Sequence, residues 1–494
     1  MKLYSENEYY KLYQGNMLDM LQVIKPESID SIVTDPPYGL TSITKRFGKE
    51  DSAECQYGKD GSFQRLSKGF MGKEWDGSGI EYNIEAWKNC YKVLKPGGYL
   101  LAFGGSRTFH RIAVAIEDAG FEIRDTIMWI YGSGFPKSMA LDKSLEAKLT
   151  TGSGNKKDFY KCNGTLEESK GKGYTSMKQT NVEQEFRNTN YQSKGQLKLD
   201  ATTELAKKFK GFGTALKPSF EPIIVARKPF KGSLVDNVIQ YGVGGINIDE
   251  CRVGNEERIN KEHGYSNIMI GGCFEKGTEE SKEYVVNGRF PANTILTYDD
   301  NDFDEVCGGF PDTKCGMAIR HNSGGNTFGG EIKKPPMEDL GYNDSGSACR
   351  YFYCAKASKK DRDEGMDEFE EVAGGSYEFR QDGSLDGKIP SRKNTHPTVK
   401  PTELMQYLIR LVTPKGGIIL DPFNGSGSTG KAAMYENKER NKNYKYIGIE
   451  LTDEYLPISK ARIEAAFKNN IIQEKAKELK EVDENQTTIF DFIN

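Results

Sequence analysis

Two short strings carry residues whose types and spacing suit chemistry. The first is Thr34-Asp35-Pro36-Pro37-Tyr38-Gly39, directly after an apolar run. Pro36 and Pro37 in series fix the backbone and remove two N–H donors. The Asp35 carboxylate and the Pro36 carbonyl can then both point outward as acceptors, with Tyr38 beside them as a stacking plane. Two acceptors and an aromatic face suit a planar amine. The exocyclic amine of adenine or cytosine shares its lone pair with the ring, and holding its hydrogens favours the pyramidal form that attacks an electrophile. The competing reading is a proline-rich turn whose Asp caps a helix.

The second string is DPFNGSGSTG, Asp421 to Gly430, after the apolar IILD. Strand, glycine turn and helix in that order let backbone amides and a helix N-terminus approach a ligand. The next apolar run ends in Glu450, 20 residues past Gly430, about where an acid accepts paired hydrogen bonds from a ribose diol. A functionless tight turn is one alternative. A Walker A loop is another, since Gly425 to Lys431 reads GxxxxGK, but Ala432 stands where magnesium needs a hydroxyl. A nucleoside-bearing cofactor uses both the glycines and Glu450.

These strings need elements to hold them. From residue 10 to 135, strands alternate with helices: strand 28–35, helix 84–98 closed by Pro-Gly-Gly, strand 99–105, helix 108–121 and strand 124–132. The same grammar resumes after 393, with helix 401–412, strand 416–421, helix 429–437, strand 444–451 and helix 454–467. Each end of the chain thus reads as half of a parallel α/β sheet. Strand 217–229 is expected to pair antiparallel with the strand at 127–131. Between the halves lie a Gly/Lys/Ser loop at 39–79, too long for a plain connection, and a polar stretch at 141–204 without periodicity. Residues 230–392 are rich in Gly, Asn and Asp, with short strands such as 285–298 and an acidic run at 361–371. The expected division is 1–140 catalytic half, 141–216 basic insertion, 217–229 returning strand, 230–392 separate domain of mixed, irregular structure, 393–470 glycine-turn half, and 471–494 helix and tail.

A chain of 494 residues with 36% hydrophobic and 28% charged positions has ample core for two to four units. No apolar run approaches the roughly 18 residues of a membrane span. The first residues lack the basic end and apolar core of a secretory leader, so a cytoplasmic protein is expected. Nine cysteines are scattered without CxxC, which reads as reduced thiols rather than a disulfide framework or a zinc site. No metal is expected. Net charge is -4, yet residues 143–232 hold 18 Lys+Arg against 9 Asp+Glu. Lys207, Lys208 and Lys210 in this stretch are candidate phosphate contacts, with a solvated loop as the plain alternative.

DPPY at 35–38, NTHPTVKP at 394–401 and DPFNGSGSTG, in that order, resemble the β-class amino-methyltransferases of DNA. Further strings, GFGTALKPSFEPIIVARKP, YGVGGINIDECRV, GRFPANTIL and RYFYCAKASKKDRDEG, resemble a phage and prophage branch. The resemblance implies a Rossmann-like α/β sheet, circularly permuted around a target recognition domain. It implies S-adenosylmethionine as cofactor and methyl transfer to adenine N6 of duplex DNA by base flipping, with cytosine N4 as the alternative. Asp35, Pro36, Pro37 and Tyr38 would form the base pocket; Asp421, Phe423, Gly425 and Gly427 the cofactor turn; and Glu450 the ribose acceptor. Thr398 and Lys400 would hold the methionine carboxylate. Asn16 stands where the family commonly has an Asp that reads the cofactor's adenine amine. His396, a loop His before Pro, reads as structural rather than as a general base. Methylation of RNA or of a protein amide, and an idle DNA-binding protein, are rival readings, and the assembly is open, a homodimer included. Near the end, Gln486, Ile489 and Phe490 resemble the short peptides that enter bacterial sliding clamps, the alternative being that they fold onto the chain's own surface.

Overall fold

The computed structural model describes residues 1–38, 79–131, 138–152, 202–262, 267–270, 273–276, 282–298, 310–314, 319–320, 337–338, 345–356, 359–372 and 393–467. The loop at 39–79 (save Gly79), most of the stretch at 141–204, and Gln486, Ile489 and Phe490 lie outside the described residues.

Ten strands form the main sheet: β1 Lys2–Glu6, β2 Tyr10–Gln14, β3 Ile29–Thr34, β4 Leu94–Phe103, β5 Glu122–Tyr131, β6 Phe220–Arg227, β7 Thr294–Tyr298, β8 Tyr353–Lys356, β9 Ile418–Asp421 and β10 Lys445–Glu450. Their order is β1-β2-β10-β9-β3-β4-β6-β5-β7-β8. From β2 to β4 every pairing is parallel, whereas β6 runs antiparallel to both β4 and β5. Its pairing of Ile223 with Ile127 and Glu221 with Trp129 is the antiparallel return expected from the sequence, and the structure supplies the register. The junction of the two chain halves is β3 against β9, where Ser31 meets Ile419 and Ile32 meets Leu420. Strands from opposite ends of the chain are thus neighbours, with their carboxyl ends on one edge, the permuted arrangement of a Rossmann-like α/β sheet.

Parallel strands covered on both faces bury nearly every side chain; β3 is buried at all six positions, and its polar members Asp30, Ser31 and Thr34 are each hydrogen-bonded, to Lys95, Thr413 and Asp421. Alternation divides the core in two. Val33, Leu101, Val225 and Ile419 pack with Leu404, Leu408, Ala433 and Ile463 from helices α4 Thr402–Val412, α5 Ser428–Arg440 and α6 456–467. Ile32, Leu100, Ile224 and Leu420 pack on the other face with Trp87, Val93, Ile112 and Ile116, from α1 Ile84–Val93 and α2 Phe109–Asp118.

Several expectations change. The helix read over 84–98 stops at Val93, and Leu94 to Gly98 already belong to β4; Lys95 precedes Pro96, which disfavours helix there, and Gly97 and Gly98 exchange backbone hydrogen bonds with Lys228. The strand read at 285–298 is two, Lys282–Arg289 and β7. Residues 230–392 do not stand apart from the sheet, since β7 and β8 extend it beyond β5. Compact packing groups 1–132, 220–369 and 394–494 in one unit, and 133–219 with 370–393 in a second. In the second unit α3 Leu141–Thr151 is helical, and Glu146 accepts hydrogen bonds from the hydroxyls of Thr202 and Thr203 and the Thr203 amide. Cys90, Cys251 and Cys354 are free thiols, but Cys349 is disulfide-bonded, a departure from the reading of reduced cysteines throughout. Among the described residues no helix is long and apolar enough to cross a membrane, and no cluster of His, Cys, Asp and Glu could hold a metal ion.

Candidate active site

The site lies where β3 and β9 end side by side. Asp421 closes β9, and its carboxylate organises the turn: Oδ1 accepts from Thr34 Oγ1 at 2.6 Å and from the Phe423 amide at 3.1 Å, and Oδ2 from Thr429 Oγ1 at 2.7 Å. One buried side chain thereby ties the last residue of β3 to the first turn of α5. Burial pushes the Asp421 carboxyl up to about 6 against those hydrogen bonds.

Gly425 and Gly427 have φ of +50° and +73°, where a side chain is strained. A Cβ on Gly425 would come within 2.8 Å of His396 Nε2, and one on Gly427 within 2.5 Å of Ser459 Oγ. Asn424 is pinned from two sides, donating to Ser459 Oγ and accepting from the Tyr446 hydroxyl. Arg462, fully buried on α6, donates to the Ser426 carbonyl and to both Ser426 and Ser428 hydroxyls. Lys431, the residue that would be a Walker lysine, is instead fully buried in ion pairs with Asp361 and Glu364. It is committed within the fold and not to a phosphate. The acidic run at 361–371 thus includes a brace for α5, which a reading of it as solvated charge would not anticipate.

Glu450 ends β10, with Oε2 accepting from the Gly425 amide at 2.7 Å and Oε1 from the Thr452 amide at 2.7 Å. Each oxygen keeps a second lone pair for a ligand. Burial raises its pKa to about 7, with those two amides pulling the other way. The Gly15 amide bonds the Glu450 carbonyl, which sets Asn16 just past the same strand end, where its amide oxygen caps the short helix Met17–Gln22. Phe423 is half-buried against Trp87, ring centroids 6.1 Å apart. A glycine turn without room for side chains, an acid at the neighbouring strand end and a helix N-terminus fit the nucleoside of S-adenosylmethionine.

The 394–400 loop, which runs directly into α4 at Thr402, brings His396 and Lys400 to the edge. His396 is buried, with Nδ1 3.0 Å from the Thr398 carbonyl and its ring edge-on to Tyr455. Burial lowers its pKa to about 3, so it is neutral at physiological pH and no proton donor. Thr398 meets it through backbone only among these bonds. Lys400 does not point along the glycine turn. Its Nζ is 2.6 Å from Asp35 Oδ2, 3.1 Å from the Tyr38 hydroxyl and 3.4 Å from Glu221 Oε2.

In the DPPY pocket Pro36 and Pro37 are buried, while Asp35 and Tyr38 are half-buried. Tyr38 is held at both ends: its carbonyl accepts from Thr108 Oγ1 at 2.6 Å and its hydroxyl donates to Glu221 Oε2 at 2.6 Å. Asp35 Oδ1 is buried and has no hydrogen-bond partner among the described residues. A buried acceptor left open is costly unless a ligand fills it. Glu221 and Tyr131, 3.4 Å apart through their side chains, were not legible as site residues. The available signal was the one acid in the FEPIIVAR strand, whose other charged residue is Arg227 at its end. In the second unit Lys207, Lys208 and Lys210 are exposed, with Lys207 paired to Glu204 at 2.8 Å.

The fold and the two joined motifs define a Rossmann-like α/β methyltransferase. The sequence profile of the N6/N4 DNA methylase family matches residues 29–461. The chain belongs to this family, whose cofactor is S-adenosylmethionine. Among characterised relatives, the type II methyltransferase M2.DpnII of Streptococcus pneumoniae is 40% identical over 88 residues, 18% of this chain and 31% of that protein. M.HindIII of Haemophilus influenzae is 25% identical over 277 residues, 52% of this chain and 71% of its own length. The chain therefore spans about a third of the first relative and most of the second. The solved PvuII DNA methyltransferase, cytosine-N4-specific, is 12% identical with a TM-score of 0.36, covering 93% of this chain and 88% of that one.

Proposed function

We propose that this protein is a site-specific DNA methyltransferase that methylates the N6 amine of adenine in duplex DNA, with the target base turned out of the helix into the DPPY pocket. The observation that carries this reading is the open acceptor of Asp35, beside the Tyr38 face and on the same sheet edge as the glycine turn. Asp35 Oδ1 and the Pro36 carbonyl take the two amine hydrogens, and Tyr38 stacks on the base. Glu450 and the turn from Asp421 to Gly427 hold the nucleoside of the cofactor, with Asn16 beside its base. S-adenosylmethionine, when bound, supplies a methyl group on a positively charged sulfur, so the chain itself need only align the amine and take up its proton. The DPPY form of the motif supports adenine; cytosine N4 is the second reading, since it offers the same planar amine. A double-stranded substrate is supported by the exposed lysines of the 141–216 stretch, which suit phosphate contacts.

The test is methyl transfer from labelled S-adenosylmethionine to unmethylated phage DNA, to RNA and to protein, side by side, followed by nucleoside mass spectrometry. Label in N6-methyladenine of DNA is the expected result. Label in N4-methylcytosine would transfer the proposal to the second reading, and label confined to RNA or protein would end it. Single-molecule sequencing of DNA from cells expressing the protein reads the modified site.

A further inference from the structure

The Lys400 side chain lies against the DPPY residues, a placement that its motif does not announce. Its ammonium has three N–H donors. They are met by Asp35 Oδ2 at 2.6 Å, the Tyr38 hydroxyl at 3.1 Å and Glu221 Oε2 at 3.4 Å. The rings of Phe103, Tyr38 and Trp129 enclose it, their centroids 4.9, 5.3 and 5.9 Å from Nζ. Trp129 is itself locked by a hydrogen bond from its indole to Thr297 Oγ1 at 2.7 Å. The lysine side chain is 7% exposed.

On the reading of the DPPY pocket as the amine site, we propose that Lys400 is a positioning residue for the target base: it holds Asp35 ionised and turned so that Oδ2 is occupied and Oδ1 faces the amine. An unpaired carboxylate in this pocket would take up a proton, and a protonated Asp35 loses acceptor strength toward the amine. Glu221 fixes the far end of the arrangement by sharing Lys400 and accepting from Tyr38. The groups facing Asp35 are Lys400 from the 394–400 loop, Tyr38 from its own loop, Glu221 from β6 and Asp421 from β9, with Tyr131 of β5 behind Glu221. Burial and the negative charges raise the Asp35 carboxyl, and Lys400 is the cation that works against them.

The sign of the effect follows. Activity that needs ionised Asp35 is lost as pH falls through its pKa, so removing the cation moves that acid limb to higher pH. In Lys400→Met, single-turnover methylation of unmethylated phage DNA at saturating S-adenosylmethionine should fall at least tenfold at pH 7, and the acid limb should move up by about one pH unit or more. Asp421 and Glu450 titrate in both proteins, and making the comparison in a Glu221→Gln background removes the other carboxylate that Lys400 contacts, so the difference isolates Asp35. Lys400→Arg keeps the charge and should keep the limb within about half a unit of the wild type. Binding of S-adenosylmethionine without DNA, by calorimetry, should change less than threefold in Lys400→Met. A limb that stays in place in Lys400→Met, or a loss of cofactor binding beyond tenfold with an intact unfolding transition, overturns the proposal, the latter by returning Lys400 to the cofactor. If Lys400→Met does not fold, Lys400→Arg decides: a limb displaced despite the retained charge overturns the proposal, and an unmoved limb with turnover supports it. Wild-type protein that methylates no DNA would overturn the function itself, whereas an active wild type with an unmoved limb overturns this inference alone.

Discussion

At the residue scale, the chemistry rests on carboxylates in very different company. Asp35 has one oxygen saturated and one open, whereas Asp421 has both oxygens engaged in holding the turn. Replacing Asp35 by Ala should lower turnover by about 10²–10³, as loss of a charge-stabilising acceptor does in other enzymes. S-adenosylmethionine affinity should barely change, and near-normal methylation by the variant would remove Asp35 from the mechanism. Glu450 offers a pH test. Its folded-state pKa of about 7 lies above the ordinary carboxylate value, so the folded protein binds the extra proton and this group destabilises the fold as pH rises from about 4.5 to 7. In the ligand-free protein, the stability lost between pH 5 and 7.5 should be smaller in Glu450→Gln than in the wild type, by on the order of 2 kcal/mol. Thermal unfolding at the two pH values measures it, and parallel curves for both proteins would mean that Glu450 is not a desolvated carboxylate. Calorimetry on the same variant should show weaker cofactor binding.

At the scale of elements, the glycine turn owes its shape to side chains that arrive from elsewhere in the sequence. Arg462 of α6 fastens its serines, and the short helix Lys359–Asp363 meets the first turns of α4 and α5 through Asp361. Lys431 is the nearer of two cations that make this burial tolerable, with Arg462 3.9 Å from Asp361 as the other. Its replacement by Met leaves Asp361 and Glu364 beside an apolar side chain, and a buried ion pair broken on one side costs about 3 kcal/mol. Urea unfolding followed by tryptophan fluorescence should show that loss, together with weaker cofactor binding. A loss under about 1 kcal/mol would mean that the segment 359–369 does not brace the turn. Strand β6 has a comparable role on the other side of the site: by running antiparallel between β4 and β5, it delivers Glu221 to the edge where the parallel strands end.

At the scale of the whole molecule, a net charge of -4 conceals a basic stretch, and only a binding experiment can connect it to DNA. Lys207, Lys208 and Lys210 are exposed in the second unit. Changing all three to Gln should weaken binding to any duplex sequence and flatten the slope of log affinity against log salt by roughly 0.9 per lost phosphate contact. Preference between sequences should survive. An unchanged slope in fluorescence anisotropy titrations would leave these lysines as solvated charge.

Much of this was legible from residue order alone, because local rules suffice for it. Apolar runs of strand length ending in Asp35, Asp421 and Glu450 mark strand ends, and glycine or proline after them marks the turns, so the sheet class and the two motifs follow from short-range chemistry, while the permuted order came with the resemblance to the β class. The antiparallel return of β6 was readable in the same way. Tertiary structure decided what depends on contacts across hundreds of residues. Lys400 belongs to a motif associated with the cofactor, yet the fold turns it to Asp35, 365 positions away. Glu221 drew no assignment from the sequence, and pairing set it opposite Trp129. Ala432 already set aside a Walker role for Lys431, but nothing local showed that Asp361 and Glu364 would lie against it. A charged side chain's role is set by which opposite charge reaches it in a low-dielectric setting. That neighbour is supplied by the packing of distant segments, which local propensity and spacing do not encode.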